Sequence, residues 1–214
     1  PKLADGKVAL PAAVLEQAIG LLDGGALPDQ PEVEYRLRFE MGKTLRLAKR
    51  LEPACTQLEA ALAAARRAFG DEHAATETVL RYLGVAQRDL GRFEEAEASL
   101  REAIAIGDRI YPGGIGSSWI AEFGCVLEAR GKYQEAEAIF SRAATAWTAN
   151  RKGVAHPGTS SFWHLLARVQ AKLKRWPEAE ASARRALAAR DASGSEIRST
   201  ASTDPGAART WESG

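Results

Sequence analysis

Few residues of this chain could carry chemistry. Its histidines are His73, His156 and His164, and its cysteines are Cys55 and Cys125. A structural or catalytic metal centre needs about three or four clustered ligands. His73 and His156 do not supply them, because they occupy one and the same place in a repeat described below. Each stands 11 positions before a small residue, Gly84 and Ala167, so both read as structural groups at a helix start. The cysteines form no C-x-x-C pair and read as small buried packing residues. The loop YPGGIGSS, 111–118, has the glycines of a phosphate cradle but lacks its lysine. The runs EEAE and QEAE, around Ala96 and Ala136, are acidic first turns of helices rather than an acid–base pair. No Ser/His/Asp set and no H-E-x-x-H occurs. The expectation is a segment without enzyme activity, metal or cofactor.

Composition narrows the class further. The 214 residues carry 29 Lys plus Arg against 28 Asp plus Glu, a net charge of +1. A nucleic-acid binder would carry a clear basic excess, so no nucleic-acid partner is expected. Two thiols make no disulfide framework, and no run of 18 apolar residues is present to span a membrane. The opening PKLADGKVAL has neither an initiator Met nor a signal pattern. These features read as a cytoplasmic protein or a piece of a longer one.

The elements that position these residues come from self-comparison. GRFEEAEASLREAIAI, 91–106, is rewritten as GKYQEAEAIFSRAATA, 131–146. Three series of small residues run in phase through four units: Gly42, Gly84, Gly124 and Ala167; then Ala54, Ala96, Ala136 and Ala179; then Ala61, Ala103, Ala143 and Ala186. The second series is spaced by 42, 40 and 43 residues, a period that marks stacked supersecondary units. Each unit reads as two helices. In the second, apolar residues recur at helical spacing over 74–90 and again over 93–106, with Gly91 between them. The third places helices around 117–130 and from Tyr133, and the fourth around 159–173 and from Trp176. Pro177 and Pro53 suit first turns, where a missing N–H is harmless. The small residues let paired helices approach closely. Leu51, Phe93, Tyr133 and Trp176, and likewise Leu58, Leu100, Phe140 and Ala183, are equivalent space-fillers.

This arrangement resembles the tetratricopeptide repeat, in its longer, kinesin-light-chain-like form of about 42 residues. FGDEHAAT (69–76) and KGVAHPGT (152–159) resemble the loop signature of that type. The resemblance implies an all-α fold, a right-handed superhelical α-solenoid of stacked antiparallel helix pairs. Residues 32–190 then form four units, about 32–72, 73–112, 113–155 and 156–190. Residues 1–31 hold a helix left from a preceding repeat, and 191–214 a polar, loosely ordered tail or linker.

The resemblance also implies a concave groove lined by the first helices. Its positions, counted from the small residue, include Arg36, Phe39, Lys43, Arg46 and Leu47; Thr78, Arg81, Val85, Arg88 and Asp89; Ser118, Ala121, Cys125, Glu128 and Ala129; and Ser161, His164, Arg168, Ala171 and Lys172. Lys and Arg outnumber acids there, which favours an acidic protein or peptide partner; solvated arginines in an arginine-rich chain are the equal alternative. Asn150 is the sole asparagine, which argues against the asparagine clamp that many family members close on a peptide backbone. Trp119 and Trp163 read as core fillers ahead of interface anchors. The reading is a non-catalytic interaction scaffold; the alternatives are the C-terminal regulatory repeat region of a larger bacterial signalling protein, such as a serine/threonine kinase or transcriptional regulator, and a self-associating module.

Overall fold

The computed structural model describes residues 12–25, 27, 29–111, 119–149 and 157–203. Its side-chain detail excludes residues 12, 13, 119, 147, 149, 157–159 and 193–203. Among the described residues there are nine helices and no strand. Two compact units divide the chain, residues 1–114 and 115–214. The first holds α1 (Ala12–Asp23), α2 (Pro31–Leu47), α3 (Leu51–Phe69), α4 (Ala74–Asp89) and α5 (Phe93–Ile110). The second holds α6 (Trp119–Ala129), α7 (Tyr133–Ala149), α8 (Pro157–Lys172) and α9 (Trp176–Thr203).

Helices pair as α2/α3, α4/α5, α6/α7 and α8/α9, and all four pairs are closed by the same turn. Its left-handed residue is Lys49, Gly91, Gly131 or Lys174, at φ of 60°, 85°, 73° and 60°. In each turn the N–H of this residue bonds a carbonyl three back, and the next N–H bonds one five back, as in Gly91 to Arg88 and Arg92 to Gln87. This pair of hydrogen bonds satisfies carbonyls that a helix end otherwise leaves bare. Pro53 and Pro177 fall within the first three positions of α3 and α9.

Within each pair the close approach is made by the glycines. A Cβ on Gly42 would lie 2.6 Å from Leu58 Cγ, and one on Gly84 would lie 2.6 Å from Leu100 Cγ. A Cβ on Gly124 would collide with the ring of Phe140. The fourth pair has exchanged both members: Ala167 faces the chain position of Ala183. Ala54, Ala61, Ala96, Ala103, Ala136 and Ala143 are fully buried; Ala186 is nearly so, and Ala179 is half-buried.

The first unit's main core joins Leu58, Ala61, Leu62 and Ala65 of α3 to Val79, Leu80, Leu83 and Ala86 of α4. Cys55 lies in it, and burial pushes its thiol up to about 11. A smaller cluster holds α1 through Leu15 against Leu45 and Ala54.

Two expectations need correction. Residues 192–203 continue α9 as helix, where a loosely ordered tail from 191 is expected. No proline interrupts the sequence between Pro177 and Pro205 to stop the helix. Residues 204–214 lie outside the described ones. Trp176 does not fill space as its equivalents do; it is 63% exposed.

Candidate functional site

His73 is the N-cap of α4. Its Nδ1 accepts from Ala75 N–H at 3.0 Å, and its ring stacks on Phe69 with centroids 4.6 Å apart. Thr76 Oγ1 donates to Gly70 O at 2.7 Å beside it. The imidazole is thus spent on closing a helix end. His156 and most of the loop 111–118 lie outside the described residues. Among the described residues no group of three His, Cys, Asp or Glu could hold a metal ion, and no helix is long and apolar enough to cross a membrane.

The groove positions fall on α2 and α4 in the first unit and on α6 and α8 in the second. Within each unit the two helices touch. On the first face, Phe39 meets Tyr82 edge-on with centroids 5.0 Å apart. Lys43 Nζ stands 4.8 Å over the Phe39 ring and 2.7 Å from Glu40. Tyr35 stacks on Phe39 at 6.0 Å and meets Phe69 edge-on. An aromatic run from His73 to Tyr82 therefore ties α2, α3 and α4 together.

The basic side chains are mostly engaged. Arg46 of α2 pairs with Asp89 of α4 at 3.0 Å, and Arg88 pairs with the same carboxylate at 2.6 Å. Burial alone would raise the Asp89 carboxyl; the hydrogen bonds from Arg88 and Arg46 outweigh it and hold the group below the usual carboxylate range. Arg81 pairs with Glu77 at 2.9 Å, and Arg36 with Glu32 at 3.5 Å. In the second unit Arg168 of α8 reaches Glu128 of α6 at 2.5 Å and lies 4.0 Å from Cys125 Sγ. His164 and Lys172 are exposed, and so is Leu47. Ser118 lies outside the described residues. Trp163 is buried, with Arg185 over its ring at 4.7 Å; the side chain of Trp119 is not described.

Several polar contacts were not singled out from sequence. Arg38, 5% exposed, donates to Glu34, Asp23 and Gln57 at 2.9, 2.8 and 3.1 Å. Ser99 donates to Gln87 at 2.8 Å, and Ser182 to Gln170 at 2.8 Å. These two pairs are repeat equivalents, and Leu127 with Ile139 stands in their place in the third unit. The signal for the cross-helix pairs was the period itself: Arg46 and Asp89 are 43 residues apart and Glu128 and Arg168 are 40 apart.

Comparison with known proteins agrees with this geometry. The chain is similar in fold to BtubC from P. vanneervenii, with a TM-score of 0.72 and 20% identity over 83% of this chain and 74% of that one. A Podospora anserina protein described as a kinesin light chain, with nearly identical TPR-like repeats, gives 0.69 and 21% over 83% and 84%. The Rap conjugation gene regulator of plasmid pLS20, solved in complex with the Phr* peptide, gives 0.53 and 16% over 82% and 46%. Among curated proteins there is no match. Residues 35–108 and 118–192, more than half of the chain, match the Tetratricopeptide repeat family. With four like turns, four helix pairs and these matches, the chain belongs to the tetratricopeptide repeat family.

Proposed function

We propose that the chain is a non-catalytic module that binds a partner protein on the faces its first helices present, α2/α4 in one unit and α6/α8 in the other. Repeats of this family generally mediate protein–protein interaction. The observation that carries the reading here is the α2/α4 face, where Phe39 and Tyr82 meet and Lys43 caps them. Aromatic and cationic side chains on adjoining helices are what a protein interface uses as anchors.

The partner is acidic at its rim. The exposed Lys172 supplies the attraction, and so does Arg36, whose contact with Glu32 is long at 3.5 Å and open to solvent, with Leu47 as an apolar contact on α2. Arg46, Arg81, Arg88, Arg168 and Lys43 act differently, because each holds a carboxylate at 3.0 Å or closer. They shape the face and steer at long range instead of pairing directly. A helix or folded domain suits this surface better than an extended peptide, since no asparagine stands among the groove positions to hold a peptide backbone.

The test is capture of a partner from native lysate on the chain and on a variant carrying Arg36→Glu, Lys172→Glu and Leu47→Asp. All three side chains are exposed, so helicity by circular dichroism should be equal. Loss of the same bound protein by the variant supports the reading. Equal retention by both, or no capture by either, counts against it.

A further inference from the structure

The second unit contains an open groove of about 490 Å³ between α8 and α9. It is lined on α8 by Ser160 and His164, and on α9 by Ala183, Ala186, Leu187 and Arg190. Ser160 Oγ donates to Ala186 O at 2.9 Å, which holds the two walls together at this level.

Repeat register says what such a groove is for. Ala167 and Ala186 follow Gly42 and Ala61 by 125 positions each, so the whole α8/α9 pair is in register with α2/α3. At that offset the lining residues correspond to Tyr35 and Phe39 on α2, and to Leu58, Ala61, Leu62 and Ala65 on α3. In the first unit those residues are the bed on which α4 lies: Leu58, Ala61, Leu62 and Ala65 share a core with Val79, Leu80, Leu83 and Ala86, and Tyr35 and Phe39 pack against it. Leu62 is 9% exposed under α4, whereas Leu187, its counterpart, is 50% exposed. The groove has the form of a helix seat.

The chemistry of the seat differs from that of its filled counterpart. Phe39 has become His164, and Ala65 has become Arg190. Ala65 is fully buried against the core, while the Arg190 side chain is 68% exposed and lies 3.5 Å from the carboxylate of its neighbour Asp191. An arginine here would obstruct a helix as apolar as α4, yet it can meet a carboxylate. We infer that the α8/α9 groove is a second docking site, which seats an amphipathic α-helix of a partner protein, with an apolar stripe over Ala183, Ala186 and Leu187 and an acidic residue facing His164 and Arg190.

The test uses a stapled, dye-labelled helix with the sequence of residues 74–89 carrying Tyr82→Glu, titrated with the full chain and read by fluorescence anisotropy. Tyr82 is the residue that meets Phe39 in the first unit, so the new carboxylate is aimed at His164. Saturable binding is expected, and the peptide with Tyr82 retained should bind about threefold or more weakly. Leu187→Asp should weaken binding by about tenfold or more, and Arg190→Ala by about threefold. Leu21→Asp, at an exposed apolar residue of α1, should change nothing. Absence of saturable binding, or binding that survives Leu187→Asp, overturns the proposal. So does a dimer in sedimentation that Leu187→Asp converts to monomer, because the seat would then hold a second copy of the chain.

Discussion

At the residue scale, Asp89 shows how the α2/α4 face is held. It accepts from Arg88 on its own helix and from Arg46 on α2. Its carboxyl lies below the ordinary value of 3.8 despite burial. A carboxyl lowered by folding contributes its stability fully above the ordinary value and loses it as pH falls through the lower folded one. Asp89→Asn should therefore cost about 1 kcal/mol at neutral pH, a partly buried pair being the reference. The difference between wild type and variant should shrink toward zero as pH drops below the ordinary carboxylate range. Urea unfolding followed by circular dichroism at a series of pH values measures this. A difference that stays constant with pH would show that the charge is not the stabilising feature.

The element scale is governed by the turn and the glycine contact that every pair repeats. Lys49 and Lys174 stand where Gly91 and Gly131 stand in the other pairs, all at positive φ. A side chain is unfavourable in that conformation and glycine is not. Lys49→Gly and Lys174→Gly should each stabilise the chain by about 0.5–1 kcal/mol, and Gly91→Ala should destabilise it by a similar amount. Thermal melts compare the three directly, and an unchanged melting temperature for both lysine variants would contradict the argument. The glycine contact makes a sharper test. Gly84→Ala places a methyl 2.6 Å from Leu100 Cγ and should cost about 1–3 kcal/mol by overpacking. Leu100→Ala alone should cost about 2–5 kcal/mol as a cavity. Combined, the two should cost clearly less than their sum, because the natural Ala167/Ala183 pair has the same two residues. Additivity in a double-mutant cycle would mean that the two side chains do not meet.

For the whole molecule, the repeats make stability a sum of local terms rather than one cooperative block. Within each unit, contacts join helices that are neighbours or next neighbours in sequence. The chain offers a built-in readout: its five tryptophans, Trp119, Trp147, Trp163, Trp176 and Trp211, all belong to the second unit. Tryptophan fluorescence should therefore report that unit alone, while far-ultraviolet circular dichroism reports both. The two probes should give different denaturation midpoints. Coincident transitions, with equal calorimetric and van't Hoff enthalpies, would instead describe one cooperative domain.

The helix pairs, their period and their small-residue contacts were all legible in the sequence. A period of about 40 residues forces like residues into like places, and a glycine every period means two backbones in close approach. The helical continuation of α9 to Thr203 was not legible, because a Ser, Thr and Ala-rich run is nearly neutral between helix and coil. The sign of charge on the first helices was also readable from their arginines, but its meaning was not. Pairing depends on which carboxylate a neighbouring helix brings within about 3 Å, and that is set by packing. The sequence by itself determined that this protein is a stack of helix pairs. Only the tertiary structure decided that the arginines at the proposed contact positions are already paired and that, among the described residues, α8 and α9 leave a groove between them. Both depend on which helix lies beside which, and a residue's type does not carry that information.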